Sequence, residues 1–165
     1  MKKVILIISY VCIILSSLFF VGFKYNDDVM CGVVITVYDG DTIKLKTHDE
    51  EYKIRFNGID APEYDQKYGE EAKNYLTSLI NEKDICIKIH GVDKYNRLLA
   101  TVFYNAEDIN YKMIKAGYAW HYKYYDSNKK YEYAELEAKN EKLGLWKDLM
   151  PVPPWDYRHN KKYTH

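Results

Sequence analysis

The chain has 165 residues, 24 basic and 24 acidic side chains, and a hydrophobic content of 47%, which predicts one core-forming domain with an appendage. The first 23 residues hold Lys2, Lys3 and no acid, so the remainder carries 22 basic and 24 acidic residues. This balance argues against a pure nucleic-acid-binding module, which usually has a basic patch. An anionic ligand would have to be held locally, by a few arginines or by a bound cation.

Residues 4–23 form an uncharged apolar stretch that is long enough to span a bilayer as a helix. Lysines precede this stretch and Asp27 and Asp28 follow it, so the positive-inside bias places the rest of the chain outside the cytoplasm. Its length and the lack of a small-residue cleavage site favour an uncleaved membrane anchor over a cleaved signal peptide. We therefore expect an extracytoplasmic domain, membrane-anchored, or secreted if residues 1–23 are removed.

Five short segments after this stretch have the patterns of strands. Residues 24–31 are predicted to be a linker and the start of the first strand, and Asp39-Gly40 is a strong hairpin turn signal. The second and third segments alternate apolar and polar residues, as half-buried strands do. The predicted strands are 32–38, 41–47, 51–57, 84–90 and 97–105.

Helical spacing of apolar residues predicts helices at 68–82, 107–119 and 128–144, with Gly117 as the C-terminal cap of the second. The Pro- and aromatic-rich tail, 147–165, is predicted to be irregular and to pack on the domain. The predicted fold class is α+β: a five-stranded OB-type barrel with about three flanking helices, preceded by the N-terminal transmembrane or signal helix. The strand pattern alone leaves other α+β arrangements open.

Two carboxylates stand at the ends of predicted neighbouring strands. Asp41 begins the second strand and Asp60 follows the third, so a meander would bring them to one end of the sheet. With a free backbone carbonyl they would form a hard-oxygen site that suits Ca²⁺, while Mg²⁺ demands stricter geometry. Pro62 favours an extended Ala61 and has no N–H of its own, which makes the Ala61 carbonyl a candidate ligand.

Other acids and the arginines have simpler explanations when each is taken alone. Glu63 stands where a general base would reach a metal-associated water, yet it equally suits a solvated loop. The chain has three arginines, at 55, 97 and 158, and the guanidinium fork matches phosphate oxygens. Arg55 and Arg97 are therefore phosphate-binding candidates, although ordinary salt bridges explain their positions as well.

The cysteines and histidines give weaker signals. Cys31 and Cys86 lie in strand-like segments and form either a disulfide, as an oxidising compartment permits, or two buried thiols. There is no Cys-x-x-Cys pair and no His-x-x-x-His pair, which argues against a structural zinc site.

Taken together, several stretches resemble the staphylococcal nuclease (thermonuclease) family, from about residue 32 to residue 146. They are "VYDGDTIKL", "IRFNGIDAPE", "YGEEAKNYL", "DKYNRLLATVF" and "AELEAKNEKLGLW". The resemblance implies an OB-type barrel and a Ca²⁺-dependent phosphodiesterase, with Mg²⁺ or Mn²⁺ as alternative ions. It also implies a monomer that cleaves DNA and RNA with little sequence preference and leaves 3′-phosphates.

The resemblance also implies a role for each motif residue. Arg55 and Arg97 would clamp the phosphate, and Glu63 would activate the attacking water. The other implied positions are metal ligands at Asp41, Asp60 and the Ala61 carbonyl, a supporting acid at Asp39, and a substrate contact at Lys94 and Tyr95. Two departures from the family pattern are Asn96 in place of a glycine, which still tolerates a positive φ, and a short loop at 64–67, which leaves substrate affinity and metal preference open.

Two alternatives belong to other functional classes. A catalytically weak relative would bind single-stranded nucleic acid at the cell surface through aromatic residues. A membrane-anchored interaction protein would use the barrel only as a scaffold. The acid pair argues against the first, since it would repel phosphate without a cation, and the second explains residues 4–23 but none of the motif residues.

Overall fold

A closed barrel of five strands forms the body of the protein in the computed structural model, which describes residues 29–162. The strands lie in the order β3-β2-β1-β5-β6, and a parallel β3–β6 pairing closes the barrel. Their bounds are β1 Val29–Val37, β2 Thr42–Lys46, β3 Glu51–Phe56, β5 Asp84–Val92 and β6 Leu98–Tyr104. The predicted five-stranded barrel is therefore confirmed, with β1 starting earlier than residue 32.

Three two-residue strands complete the sheets. β4 (Ile59–Asp60) pairs with β8 (Trp120–His121), and β7 (Glu107–Asp108) pairs with β6. Such short strands show no measurable periodicity in the sequence, so the sequence analysis did not find them. The β4–β8 pair sets Asp60 opposite Trp120.

Four α-helices flank the barrel within the described residues. They are α1 Gly69–Ile80, α2 Ile109–Lys115, α3 Lys129–Asn140 and α4 Pro154–Lys161, with a 3₁₀ turn at Gly144–Lys147. The first three lie in the predicted segments, and Gly117 follows α2 with φ +74°, as its predicted capping role requires. The prediction of an irregular tail is wrong, because α4 forms there with a proline in its first turn, where proline suits a helix.

The inward faces of the strands supply the core. Ile54 and Phe56 of β3 and Ile85 and Ile87 of β5 are buried, as the alternation of these segments predicts. Leu76 of α1 is a fully buried member of the same hydrophobic core. Burial of each such side chain contributes about 1.5–3 kcal/mol to the free energy of folding. The packed core supports the strand ends where the acids lie.

A disulfide joins Cys31 to Cys86. The two residues are register partners on the antiparallel strands β1 and β5. Of the two alternatives that the sequence leaves open, the structure has the disulfide.

The expected transmembrane or signal helix at residues 4–23 lies outside the described residues. Among residues 29–162, no helix has the length and apolar character needed to cross a membrane.

Candidate active site

The turn between β1 and β2 fixes the first acid. The backbone N–H of Asp41 donates to Asp39 Oδ1 at 3.0 Å, so Asp39 acts inside the turn. A methyl group on Gly40 would lie 2.7 Å from Ala61 Cβ and 2.8 Å from Ala72 Cβ. The glycine therefore lets the loop after β4 and helix α1 close over the turn that carries Asp41.

Arg55 lies between the two candidate metal carboxylates. Its Nη1 is 3.0 Å from Asp41 Oδ2, and its Nη2 donates to Asp60 Oδ1 at 2.7 Å. The side chain of Arg55 is 13% exposed, and those of Asp41 and Asp60 are 7% and 1% exposed. The structure thus brings Asp41, Arg55 and Asp60 together at one end of the barrel, as the meander prediction requires.

The β3–β4 turn sets the position of Asp60. Gly58 has φ +75°, a conformation that favours glycine. The buried Asn110 side chain donates to the carbonyl of Asn57 at 2.9 Å, and Arg55 Nη1 donates to the carbonyl of Ile59 at 3.0 Å. These contacts hold the turn against the barrel and leave the Asp60 carboxylate facing Arg55.

Burial dominates the electrostatics of the first acid. It raises the pKa of Asp41 well above the ordinary value, against the opposing effect of Arg55, because a buried carboxylate loses its hydration. The Ala61 N–H donates to Asp41 Oδ2 at 2.6 Å, and the Thr42 hydroxyl donates to Oδ1 at 3.0 Å. These two donors and Arg55 fix the orientation of the Asp41 carboxyl group.

Glu63 lies at the solvent edge of this group, with its side chain 37% exposed. Its backbone N–H donates to Gln66 Oε1 at 3.1 Å, and Gln66 Nε2 donates to the Val152 carbonyl at 2.7 Å. The short 64–67 loop is therefore fixed by a buried glutamine that links it to the C-terminal segment.

Arg158, which the sequence analysis did not assign to the site, lies directly against it. Its Nη1 donates to Glu63 Oε1 at 2.7 Å, and its Nη2 donates to Asp60 Oδ2 at 2.8 Å. Burial acts to lower the pKa of Arg158, but the hydrogen bonds to Asp60 and Glu63 outweigh it and raise that pKa. The chain has only three arginines, and this scarcity was the signal in the sequence that Arg158 could be functional. Arg158 was not assigned because it lies outside the motifs that resemble the nuclease family.

Arg97, Lys94 and Tyr95 form a separate group on the β5–β6 turn. Arg97 pairs with Asp93 at 2.7 Å rather than with the carboxylates at 41, 60 or 63. Tyr95 is 69% exposed, with the Lys94 ammonium 5.0 Å and the Arg97 guanidinium 5.5 Å from its ring centre. Asn96 has φ +59°, so the turn survives without glycine.

The family described as staphylococcal nuclease homologue matches residues 53–148. The chain belongs to this family. The match covers β3, the β4 segment, the β5–β6 turn and α3, and so includes Arg55, Asp60, Glu63 and Arg97. Membership makes the protein a nuclease, a hydrolase that acts on phosphodiester bonds.

Relatives from bacteria and plants share this similarity. An uncharacterised endonuclease of Haemophilus influenzae is 37% identical over 130 residues, which are 78% of this chain and 73% of that protein. An uncharacterised endonuclease of Escherichia coli is 36% identical over 144 residues, 84% of this chain and 94% of that protein. A staphylococcal-like nuclease of Arabidopsis thaliana is 34% identical over 113 residues, 68% of this chain and 35% of that protein.

The donor chemistry of this nuclease domain fits a hard divalent cation. Asp41 and Asp60 contribute buried carboxylate oxygens, the ligand type that Ca²⁺ and Mg²⁺ prefer. Within residues 29–162 no three His, Cys, Asp or Glu side chains group closely enough to hold a metal by themselves. A cation here would need backbone oxygen and water to complete its shell, and the Ala61 carbonyl stays a predicted ligand.

Proposed function

We propose that the protein is a Ca²⁺-dependent nuclease that cleaves DNA and RNA with little sequence preference and leaves 3′-phosphate and 5′-hydroxyl ends. The observation that carries this proposal is the buried Asp41–Arg55–Asp60 cluster with Glu63 at its open edge. These side chains would supply oxygen ligands for a cation, a guanidinium that can pair with phosphate, and a candidate base within one small site.

The acids divide into cation ligands and a base. Ca²⁺ would be held by Asp41, Asp60 and the Ala61 carbonyl, and when bound it supplies positive charge that polarises a phosphoryl oxygen. Glu63, at the edge of the site, accepts the proton of a water that attacks phosphorus in line with the leaving oxygen. Its exposure of 37% keeps it accessible to that water.

The arginines supply fixed positive charge. Arg55 reaches both carboxylates with one guanidinium, and so it holds them in place and presents positive charge beside the reacting phosphate. Arg97 is held on the neighbouring β5–β6 turn and is proposed to bind the equatorial oxygens as charge develops on them. Lys94 and Tyr95 would hold the adjoining nucleotide, with the exposed Tyr95 ring as a stacking surface.

The β5–β6 turn also favours the alternative function of binding without catalysis. An exposed tyrosine flanked by two cations is a platform on which a base can stack. A protein that only binds single-stranded nucleic acid would use this turn and have no need of the Asp41–Asp60 pair. The alternative therefore predicts binding that survives loss of these acids.

The proposed location is extracytoplasmic. The Cys31–Cys86 disulfide supports it, because disulfides persist in oxidising compartments and are rare in the cytosol. Non-reducing peptide mass spectrometry of protein isolated from its source cells tests this location. Two free thiols in that material would contradict it.

The nuclease proposal is tested on the full chain, purified in mild detergent because of its apolar N-terminal stretch and then stripped of metal. Supercoiled plasmid, single-stranded DNA and RNA are incubated with Ca²⁺, Mg²⁺, Mn²⁺ or chelator. We expect Ca²⁺-dependent cleavage and ends that a polymerase extends only after 3′-phosphatase treatment. Glu63→Gln should slow cleavage by about 10²–10⁴-fold, whereas Glu137→Gln, a matched change on the exposed face of α3, should not.

Two results would contradict the proposal in different ways. Retained single-strand binding without cleavage in any ion, by a folded protein, would favour the binding module. Cleavage that Glu63→Gln leaves unchanged would keep the nuclease but remove the glutamate from the role of base.

A further inference from the structure

A C-terminal strap, residues 148–161, holds the catalytic loop 60–67 from outside the segment that defines the family. The family match ends at residue 148. The strap contacts the loop through Asp148 to Lys67 at 2.7 Å, the Val152 carbonyl to Gln66 at 2.7 Å, and Tyr157 to the Asp65 carbonyl at 3.1 Å. The active-site loop is therefore tied to a segment that lies, apart from Asp148, outside the matched residues.

The strap delivers one charged group to the candidate metal ligands. Arg158 Nη2 bonds Asp60 Oδ2 at 2.8 Å, and Nη1 bonds Oδ1 of the same carboxylate at 3.2 Å and Glu63 Oε1 at 2.7 Å. Arg55 Nη2 donates a second hydrogen bond to Oδ1 at 2.7 Å. Since Asp60 is 1% exposed, a cation cannot coordinate its Oδ2 while Arg158 keeps this position.

Aromatic contacts fix helix α4 independently of this ion pair. Trp155 stacks on Tyr122 with ring centres 5.2 Å apart and an interplanar angle of 5°, and it meets Trp120 edge-on at 5.6 Å. Aromatic pairs in these geometries stabilise packing beyond the apolar area that they bury. The helix should therefore remain docked when the Arg158 side chain is removed, so the guanidinium can be tested separately from the strap.

The charges make the guanidinium and a metal ion competitors. Each compensates the same carboxylate, and two positive charges a few ångströms apart repel each other strongly in a site of low dielectric. A buried carboxylate also needs compensating positive charge, which Asp60 receives from Arg55 on one oxygen and from Arg158 on the other. Binding of a cation to the site therefore disfavours the Arg158 contacts, and these contacts disfavour cation binding.

We propose that Arg158 is an internal competitor for the metal ion: it must leave Asp60 for a divalent cation to bind there, so the C-terminal strap sets the cation affinity of the nuclease site. This inference rests on the cation site of the proposed function. Arg158 is accordingly a residue that tunes the affinity of the site, not a phosphate-binding one.

The test is calorimetric titration of Ca²⁺ into the metal-free full chain in detergent, without substrate. Arg158→Gln should bind Ca²⁺ roughly tenfold more tightly than the unmodified chain, a coupling within the usual range for linked sites. Lys129→Gln is the control, since it removes the same charge from an exposed pair with Glu132 on α3, outside the strap and the loop 60–67. That exposed pair should change the affinity by no more than about twofold.

A second variant covers the event that Arg158→Gln does not fold, which circular dichroism would show. Arg158→Lys keeps the charge but replaces the fork by a single point charge, so it cannot span both Asp60 oxygens and Glu63. We expect its Ca²⁺ affinity to lie between those of the unmodified chain and Arg158→Gln, or above that of the unmodified chain if only the lysine variant folds.

The outcomes separate this inference from the proposed function. Equal Ca²⁺ affinities in the folded variants would overturn the competition and leave the nuclease site intact. Weaker binding in Arg158→Gln would overturn it as well, and would make Arg158 a residue that organises the site. Absence of Ca²⁺ binding in every folded variant would overturn both the competition and the Ca²⁺ site.

Discussion

Two aspartate–arginine clusters on this barrel use the same chemistry in different settings. In the first, Arg55 is 13% exposed and its partners Asp41 and Asp60 are 7% and 1% exposed, and the three residues come from separate elements. In the second, Arg97 is 24% exposed and Asp93 is 15% exposed, and both lie in one turn. The first cluster depends on the closed barrel, whereas the second needs little more than its own turn.

The two clusters also shift their acids in opposite directions. Burial raises the pKa of Asp41 despite Arg55 beside it. Burial acts upward on the pKa of Asp93 too, but hydrogen bonds from the Arg97 backbone and side chain and from the Tyr95 N–H outweigh it and lower that pKa. In the Asp41–Arg55–Asp60 cluster (the barrel cluster) the cost of burial therefore exceeds the effect of the arginine on Asp41, whereas in the Asp93–Arg97 cluster (the turn cluster) the hydrogen bonds exceed the cost of burial.

The largest effect should come from breaking the barrel cluster. Arg55→Ala leaves Asp41 and Asp60 buried with too little positive charge, and removal of one partner from a buried pair costs about 3–5 kcal/mol. We expect this loss in the free energy of urea unfolding in chelator, together with loss of cleavage. Retained stability would contradict the dependence of the two acids on Arg55.

Arg97→Ala should separate activity from stability. Asp93 keeps its bonds to the N–H groups of Tyr95 and Arg97, both at 2.9 Å, so the free energy of unfolding should fall by only about 1 kcal/mol. Loss of a charge-stabilising donor should lower kcat by about 10²–10³-fold. The measurement is plasmid cleavage at saturating Ca²⁺ beside a urea titration, and an unfolded Arg97→Ala would contradict the locality of the turn cluster.

A pair of glycines compares the two regions without changing any charge. A methyl group on Gly40 would lie 2.7 Å from Ala61 Cβ, and overpacking of this kind costs about 1–3 kcal/mol. A methyl group on Gly91, just before the Asp93 turn, would meet no heavy atom of residues 29–162 within 4 Å, so Gly91→Ala should change stability by less than about 0.5 kcal/mol. Thermal unfolding of the two variants provides the measurement, and equal shifts would contradict the close packing at Gly40.

This contrast explains what the sequence could and could not predict about the fold. The barrel strands follow from the alternation of apolar and polar residues. The turns follow from Asp39-Gly40 and from Asn96, a residue type that tolerates a positive φ. Each of these signals spans only a few residues of sequence. Helix α4 was missed because Pro153 and Pro154 indicated an irregular segment, whereas Pro154 in fact occupies the first turn of the helix.

The site shows the same limit. Asp41 and Asp60 come together as predicted, since neighbouring strands of a meander bring their ends together, and the structure adds Arg55 between them. Arg158 reaches Asp60 across 98 residues of sequence, through aromatic packing of α4 that no local pattern encodes. The position of Arg97 was predictable as part of a turn, but its pairing with Asp93 instead of the acids was not, because only the folded barrel sets the distance between the two clusters.

The turn cluster should also make stability depend on pH in the acid range. Since the pKa of Asp93 is lowered on folding, its charged form stabilises the protein above the ordinary aspartate value, and this contribution is lost as the pH falls through the lowered value. Asp93→Asn should therefore reduce the free energy of unfolding by about 1 kcal/mol near pH 7, a modest figure because the pair is partly solvated. The difference from the unmodified chain should shrink toward zero as the pH drops below the folded-state value. Urea titrations from pH 7 to about pH 3 measure it, and a difference that stays constant with pH would show that the Asn variant loses packing or hydrogen-bond geometry rather than the charge of the turn cluster.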